Sequence, residues 1–410
     1  MALGTFNANG LFYTTYNPTQ LNQKSFSNMI LRLFPNGSAP LFALTGEAGR
    51  KKAKASEHGY FTKHFAIVRP KVNGAIAVVG TTTITLDATT GLVPGMVLQV
   101  PSTRENIRIL TVVDATDITV TRSFGSVTGS DIDDNEDLIL VGNAQTEASL
   151  RPTERSMASA YVPNYTSIIR NAWALSDTAR ASLAEAGFNN VAENKMDCMA
   201  FHSTDIETQM IWGQPVAPAV DATSGKLIHA TQGFIDAMNQ YASGNIQTAA
   251  ATTNYSELVD LVDPAFSYST SKDAMGRKER VAFVDNIAMK VLHDIGMNSA
   301  DVNMTIESTT FGMEFTNFRT YKGTIRLLEH PILTEMGNAT TGTMLIFDLP
   351  TVSVAYLDGR DIKKEEYDGS GDSTGSGIDA VGGSLTSEFA TEFHSPPTCG
   401  IVNGLTAYGA

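Results

Sequence analysis

Residues 1 to 24 are rich in Asn, Thr, Gln and Tyr and follow no hydrophobic period, which predicts an extended arm. Directly behind it, Phe26, Met29, Ile30, Leu33 and Phe34 fall at i, i+3, i+4, i+7 and i+8. That spacing puts all five on one face of a short amphipathic helix, with Ser25 as its cap and Pro35 to Gly37 as its stop. From Gly46 to Gly59 the chain turns small, polar and basic. From Val72 to Val141 it becomes a series of Thr-, Val- and Ile-rich runs: Ile76 to Val79, Thr82 to Leu86, Met96 to Val100, Ile107 to Val113, Ile118 to Thr121 and Leu138 to Val141. Turn residues separate these runs, and the spacing predicts an all-β lobe, a small antiparallel barrel or sandwich.

Helical periodicity dominates next. Ala174 to Ala186 reads as a helix with Asp177 near its start and Gly187 behind it. A longer helix runs from Asn189 or Asn190 to Trp212, with Val191, Cys198, Met199, Ile206 and Met210 near one face. At 1.5 Å per residue it is about 35 Å long. Asn254 and Glu257 have the spacing of a capping box before Leu258, Leu261 and Val262. A strand at Arg280 to Val284, a helix from Asn286 to Ile295 ended by Gly296, and a strand at Val302 to Ile306 suggest a βαβ-like unit. Further strands are predicted at Phe311 to Phe318, Thr324 to Leu328 and Thr343 to Leu349. Tyr367 to Leu385 holds six Gly and four Ser in nineteen residues, the composition of a flexible loop. Alternation then returns at Leu385, Ser387, Phe389, Thr391 and Phe393, which predicts a packed strand. The fold class is α+β.

With 42% hydrophobic residues in 410, the chain can bury a core, which excludes a wholly disordered protein. Its net charge of −14 gives it no bulk attraction for nucleic acid or anionic lipid. The charge is unevenly spread, however. Met1 to Lys71 carries nine basic residues against two acidic ones, a balance of +7 that leaves −21 for the remainder. Within that basic arm Arg50, Lys51, Lys52 and Lys54 are the candidates for contact with a polyanion. No stretch approaches the roughly 18–20 apolar residues of a membrane span, and Met1 to Phe12 has no secretory pattern, so neither membrane insertion nor export is expected. Two cysteines, Cys198 and Cys399, are too few for a disulfide framework and fit a reducing cytoplasm.

Candidate chemistry is sparse. Gly371-Asp372-Ser373-Thr374-Gly375 matches G-x-S-x-G, but a nucleophile elbow needs a strand before the Ser and a helix after it, and both flanks here are Gly/Ser-rich. Cys198 and His202 sit four apart on the long helix beside Asp197 and Asp205 and could ligate a metal, but a buried Cys and a helix-surface His explain them better. Paired cysteines, H-E-x-x-H, a Walker loop and G-x-G-x-x-G do not occur. No catalytic residue, metal or cofactor is therefore expected, and the pattern favours an assembly or binding protein. A tail or adhesin component, or a serine hydrolase using Ser373, are the alternatives.

Four segments in order carry a resemblance. They are Ala39-Pro40-Leu41-Phe42-Ala43-Leu44; Pro163-Asn164-Tyr165-Thr166-Ser167-Ile168-Ile169-Arg170 leading into Ser176-Asp177-Thr178; Thr309-Thr310-Phe311-Gly312; and Gly382-Gly383-Ser384-Leu385-Thr386-Ser387-Glu388 with Gly404-Leu405. In that order the chain resembles the major head proteins of tailed bacteriophages, with Ser167 standing where that family usually has Gln. The resemblance implies the Hong Kong 97 capsid fold: an N-terminal arm (1–60), an extended loop (61–166) with the all-β insert at about 72–142, a peripheral domain beginning at 167–230 with its spine helix at about 189–212, an axial domain (231–323), and return strands with a C-terminal strand (324–410). It further implies a subunit that self-assembles as hexamers and pentamers, with portal, cement or scaffold proteins as partners and non-specific contact with packaged DNA. The location implied is the virion, after assembly in the host cytoplasm. Phe26, Met29, Ile30, Leu33 and Phe34 would then make arm contacts between subunits, and Arg50, Lys51, Lys52 and Lys54 would face the DNA.

Overall fold

A computed structural model describes residue 41 and residues 51–63, 68–77, 80–181, 190–269, 278–298, 305–310, 313–337, 340–368 and 379–409. The chain divides into two units, Phe61–Tyr161 and Met1–Tyr60 with Val162–Ala410.

In Phe61–Tyr161 five strands form one antiparallel sheet, in the order Thr83–Thr85, Asp117–Thr121, Asn106–Val112, Met96–Gln99, Ile139–Asn143. Successive side chains of a strand point to opposite faces. Ile107 and Ile109, and Ile118 and Val120, therefore turn inward together and close a core with Ile84, Leu86 and Leu98. Glu105 is buried with them because Arg122 donates to both its oxygens, at 2.7 and 2.6 Å, and the Ser123 N–H donates at 2.8 Å. Burial pushes the Glu105 carboxyl up, but these donors outweigh it and leave it below its ordinary value. Five of the six predicted runs contain an observed strand; Ile76 makes only an isolated bridge to Ile132, and Val78 and Val79 lie outside the described residues.

The other unit is built on a seven-stranded mixed sheet, in the order Ile246–Thr248, Gly400–Asn403, Met344–Phe347, Lys278–Val284, Gly323–Glu329, Met313–Arg319, Thr305–Thr310. Ala282, Val284, Met344, Ile346 and Val402 share one face, where they pack against Leu258 and Val262 of the helix Tyr255–Val262 and Val291, Leu292 and Ile295 of the helix Asn286–Asn298. Asn254 starts the first of these helices with the predicted capping box. The alternate residues Val281, Phe283, Leu345, Phe347 and Ile401 form the second face. They meet Ile206, Met210 and Ile211 of the long helix Asn190–Trp212, Phe234 and Met238 of the helix Phe234–Tyr241, and Val352, Val354, Phe389 and Phe393 of a second sheet. Burial on both faces is why these strands read as continuous apolar runs.

That second sheet has five strands and is organised on Ala380–Phe393, 14 residues long. It pairs antiparallel with Val352–Leu357, Lys363–Asp368 and Ser167–Ser176. Lys51–Ala53 adds a parallel strand on Val352–Leu357.

Four expectations are corrected. Ala174 to Ser176 is not helical: Ser167–Ser176 pairs residue for residue with Phe389 back to Ala380, and this tertiary ladder overrides the helical propensity of Ala and Leu. The helix is Asp177–Ala181, with Ser176 Oγ accepting the Ala179 N–H at 3.2 Å, and residues 182–189 lie outside the described residues. Gly296 does not end its helix, which continues to Asn298 because Ala288, Val291, Leu292 and Ile295 anchor it. Lys278–Val284 takes Gly323–Glu329 as its parallel neighbour, not Thr305–Thr310, which stands three places away in the sheet. Finally, the Gly/Ser-rich stretch is strand at both ends, in Lys363–Asp368 and Ala380–Phe393.

Candidate functional site

The basic residues of the arm come first. Lys51 and Lys52 lie in the strand Lys51–Ala53, and Arg50 is outside the described residues. Lys52 pairs with Asp358 at 2.8 Å on the surface, and Lys54 is exposed. Lys51 is engaged differently. Its Nζ donates to Glu392 Oε2 at 2.5 Å, and that carboxylate, only 4% exposed, also accepts from Ser353 Oγ at 2.6 Å, His394 Nε2 at 2.7 Å and His58 Nε2 at 2.7 Å. Burial alone would raise the Glu392 carboxyl, but His394, His58, Lys51 and Ser353 together hold it well below the usual carboxylate range. Part of the basic segment is thus fastened to the long strand rather than left free.

The Pro163 to Arg170 motif forms the second cluster. Asn164 is fully buried; its Nδ2 donates to the Thr391 carbonyl at 2.6 Å, and its Oδ1 accepts the Gln232 N–H at 2.9 Å. Thr231 Oγ1 accepts the Thr391 N–H at 3.0 Å, and Thr391 Oγ1 donates to the Gln232 carbonyl. Thr166 Oγ1 donates to the buried Glu388 at 2.9 Å, which Arg360 also meets at 2.9 Å. Ser167 Oγ accepts from Gln209 of the long helix at 2.7 Å, so a helix residue supplies an amide at this position. The motif is therefore a polar clamp joining three parts of the chain.

A third cluster ties the long helix to the sheet. His202 Nδ1 lies 2.7 Å from Asn171 Oδ1 and its Nε2 2.8 Å from Ser387 Oγ. Burial pushes the His202 imidazole below its ordinary value, so a neutral ring donates from Nδ1 and accepts the Ser387 hydroxyl. The Ser–His–Asn order is that of a hydrolase triad. Ser387, however, is fully buried and its Oγ also accepts the Ile362 N–H at 3.3 Å, so no substrate carbonyl can reach it. His202 is thus buried between helix and sheet, not on the helix surface as expected, because Asn171 and Ser387 satisfy both its ring nitrogens; Cys198 is buried as expected, among Trp173 and Leu385 with its thiol pushed up by burial, and the two do not form a metal pair. Among the described residues no group of three or more His, Cys, Asp or Glu is placed to hold a metal ion, and no helix is long and apolar enough to cross a membrane.

Phe26, Met29, Ile30, Leu33, Phe34 and Ser373 lie outside the described residues. Neither the Glu392 cluster nor the partnership of His202 with Ser387 is legible in the sequence, and Asn164 stands out there only as part of the Pro163 to Arg170 motif. The available signal was two glutamates, Glu388 and Glu392, within a strand whose neighbours Leu385, Phe389 and Phe393 are apolar.

Comparison with known proteins concerns the chain as a whole. The family described as SU10 major capsid protein matches residues 13–406. The major capsid protein of Pseudomonas phage PaMx41 is 42% identical over 407 residues, covering 97% of this chain and 96% of that one. Among solved structures, the capsid of an empty GTA particle has a TM-score of 0.48 at 11% identity, over 96% of this chain and 97% of its own. A chain of Gordonia phage Cozz has a TM-score of 0.44 at 11% identity, over 98% of both. Matched by the family along nearly its whole length and by a full-length relative at 42% identity, the chain belongs to the SU10 family of major capsid proteins.

Proposed function

We propose that this chain is the shell subunit of a phage head with the Hong Kong 97 fold. Its copies associate as hexamers and pentamers into an icosahedral or prolate shell around packaged double-stranded DNA. The observation that carries this reading is the family match over residues 13–406, with the 42% identical capsid protein beside it. The protein resides in the virion after assembly in the host cytoplasm and acts without catalysis, meeting portal, cement or scaffold proteins at its margins. Residues 1–60 serve as the arm, 61–166 as the extended loop with its insert at 72–142, 167–230 and 324–410 as the peripheral domain, and 231–323 as the axial domain. The unit Phe61–Tyr161, with its own core, supports the second of these boundaries. Phe26, Met29, Ile30, Leu33 and Phe34 bury their face on a neighbour or on the same subunit. Arg50, Lys52 and Lys54 face the DNA, while Lys51 of the same group is held by Glu392.

Electron microscopy of the purified chain tests the reading: hexamers, pentamers, tubes or closed particles are expected, and a species that stays monomeric at every concentration and salt overturns it. Removing residues 1–37 is expected to leave a folded subunit that assembles poorly; normal shells from the truncated chain would remove the arm from the interface.

A further inference from the structure

The strands Val216–Val220 and Leu227–Ala230 form a separate hairpin directly after the long helix. Its tip is tightly made: Asp221 Oδ2 accepts the Ser224 N–H and the Asp221 carbonyl accepts the Gly225 N–H, each at 2.8 Å. Its base is equally constrained. Gly233 N–H donates to the Gly213 carbonyl at 2.8 Å, and a Cβ on Gly233 would stand 2.4 Å from the Gly213 nitrogen. The returning residues Thr231 and Gln232 are fully buried in the Asn164 clamp. Between tip and base the hairpin is wet. Every residue of Val216–Val220 is exposed; Val220 and Leu227 are 68% and 66% exposed, and Val216 and Ile228 are exposed too. A lone two-stranded hairpin is marginal in water. Here an ordered one carries four large apolar side chains that gain little from the subunit's own core.

We propose that this hairpin is buried against a second copy of this chain in the assembled shell. The inference rests on the shell-subunit reading. Charge identifies the occupant. At −14, copies of the chain repel one another, and contact forms most readily through surface without net charge. Residues 214–230 carry only Asp221 and Lys226, which cancel, and the same balance offers a polyanion nothing. The exposed apolar area is on the order of a few hundred Å², the size of a functional patch but short of the roughly 800 Å² per partner of a standard interface, so the hairpin is one part of a larger contact. Pro218 lacks an N–H and the ladder shifts register between Val216 and Ala219, which disfavours added strand pairing on that edge. The contact is made by side chains.

Two measurements on the full chain test this. With both native cysteines buried, Val220→Cys provides a reporter for maleimide. It is expected to label in the free subunit and to be protected about tenfold or more in assembled particles; equal labelling in well-formed particles overturns the hairpin contact and leaves the shell reading standing. The double variant Val220→Glu/Leu227→Glu is expected to keep the wild-type circular dichroism and melting while the assembly threshold rises about tenfold or more, because two charges would be buried unpaired. Particles at the wild-type threshold overturn the proposal, and if the double variant does not fold, the cysteine labelling decides. A wild-type chain that never assembles overturns both readings.

Discussion

Glu392 is itself buried and accepts from Lys51, His58, Ser353 and His394, so its ionised form is compensated from four sides although Lys51 reaches solvent. Glu392→Gln keeps the shape but removes the charge those donors face, and is expected to cost about 1–3 kcal/mol in denaturant titration at pH 7, since the half-exposed Lys51 can turn to water. The pH dependence has a definite sign. The folded carboxyl lies well below 4.5, so its stabilisation is complete above that value and is lost as pH falls beneath it. The gap between wild type and variant should therefore hold from neutral pH to about 5 and shrink below 4. His202 behaves oppositely. Burial keeps its folded value under 6.5, so the unfolded chain binds the extra proton and stability falls as pH drops through 6.5. His202→Asn should flatten that slope in thermal melts, and Ser387→Ala, which leaves Nε2 without its donor, is expected to cost about 1–3 kcal/mol.

Among the described elements, the strand Ala380–Phe393 pairs with three others, because it organises one sheet, and it carries Ser387, Glu388, Thr391 and Glu392 to the three clusters. Its glycines follow from that crowding. A Cβ on Gly383 would stand 2.6 Å from the Glu365 carbonyl oxygen and 2.8 Å from Trp173 Nε1. Gly383→Ala is expected to cost about 1–3 kcal/mol in chemical denaturation, since backbone on one side and a buried indole on the other leave little room to yield. A melting curve unchanged from wild type would show that the strand shifts freely there. The long helix is fixed by the same strand: Cys198, His202 and Ile206 face the interior, while Met199 remains half exposed although its spacing puts it near the apolar face.

At the scale of the whole molecule, the basic arm separates into residues with different work. Neutralising Lys51 removes a donor from a buried carboxylate and should lower the melting temperature. Lys52 meets Asp358 in open water and Lys54 is exposed, so Lys52→Gln/Lys54→Gln should change stability by no more than about 0.5 kcal/mol. In the proposed shell this double variant should still build particles and should weaken DNA retention, read as DNA content per particle. Particles with unchanged DNA content would take DNA contact away from these two lysines.

The sequence by itself determined the elements whose signal is local. The runs from Thr82 to Val141 are rich in Thr, Val and Ile and are separated by turn residues, the helix Asn190–Trp212 has its own length and apolar spacing, and the Asn254–Glu257 box needs no residue outside its own turn. The order of weak motifs was also legible, and the family match bears out the resemblance they carried. The tertiary structure alone decided what depends on distant partners. Ala174 to Ser176 became strand because ten residues far along the chain offered a ladder, and Gly382 and Gly383 became strand because they pair with Tyr367 and Glu366 on one side and Ala174 and Trp173 on the other, in a space too tight for a side chain. Lys51 became a fastener only when Glu392, 341 residues later, arrived beside it. Hydrophobic period is written into neighbouring residues, whereas the compensation of a buried charge requires partners that only the folded chain brings together.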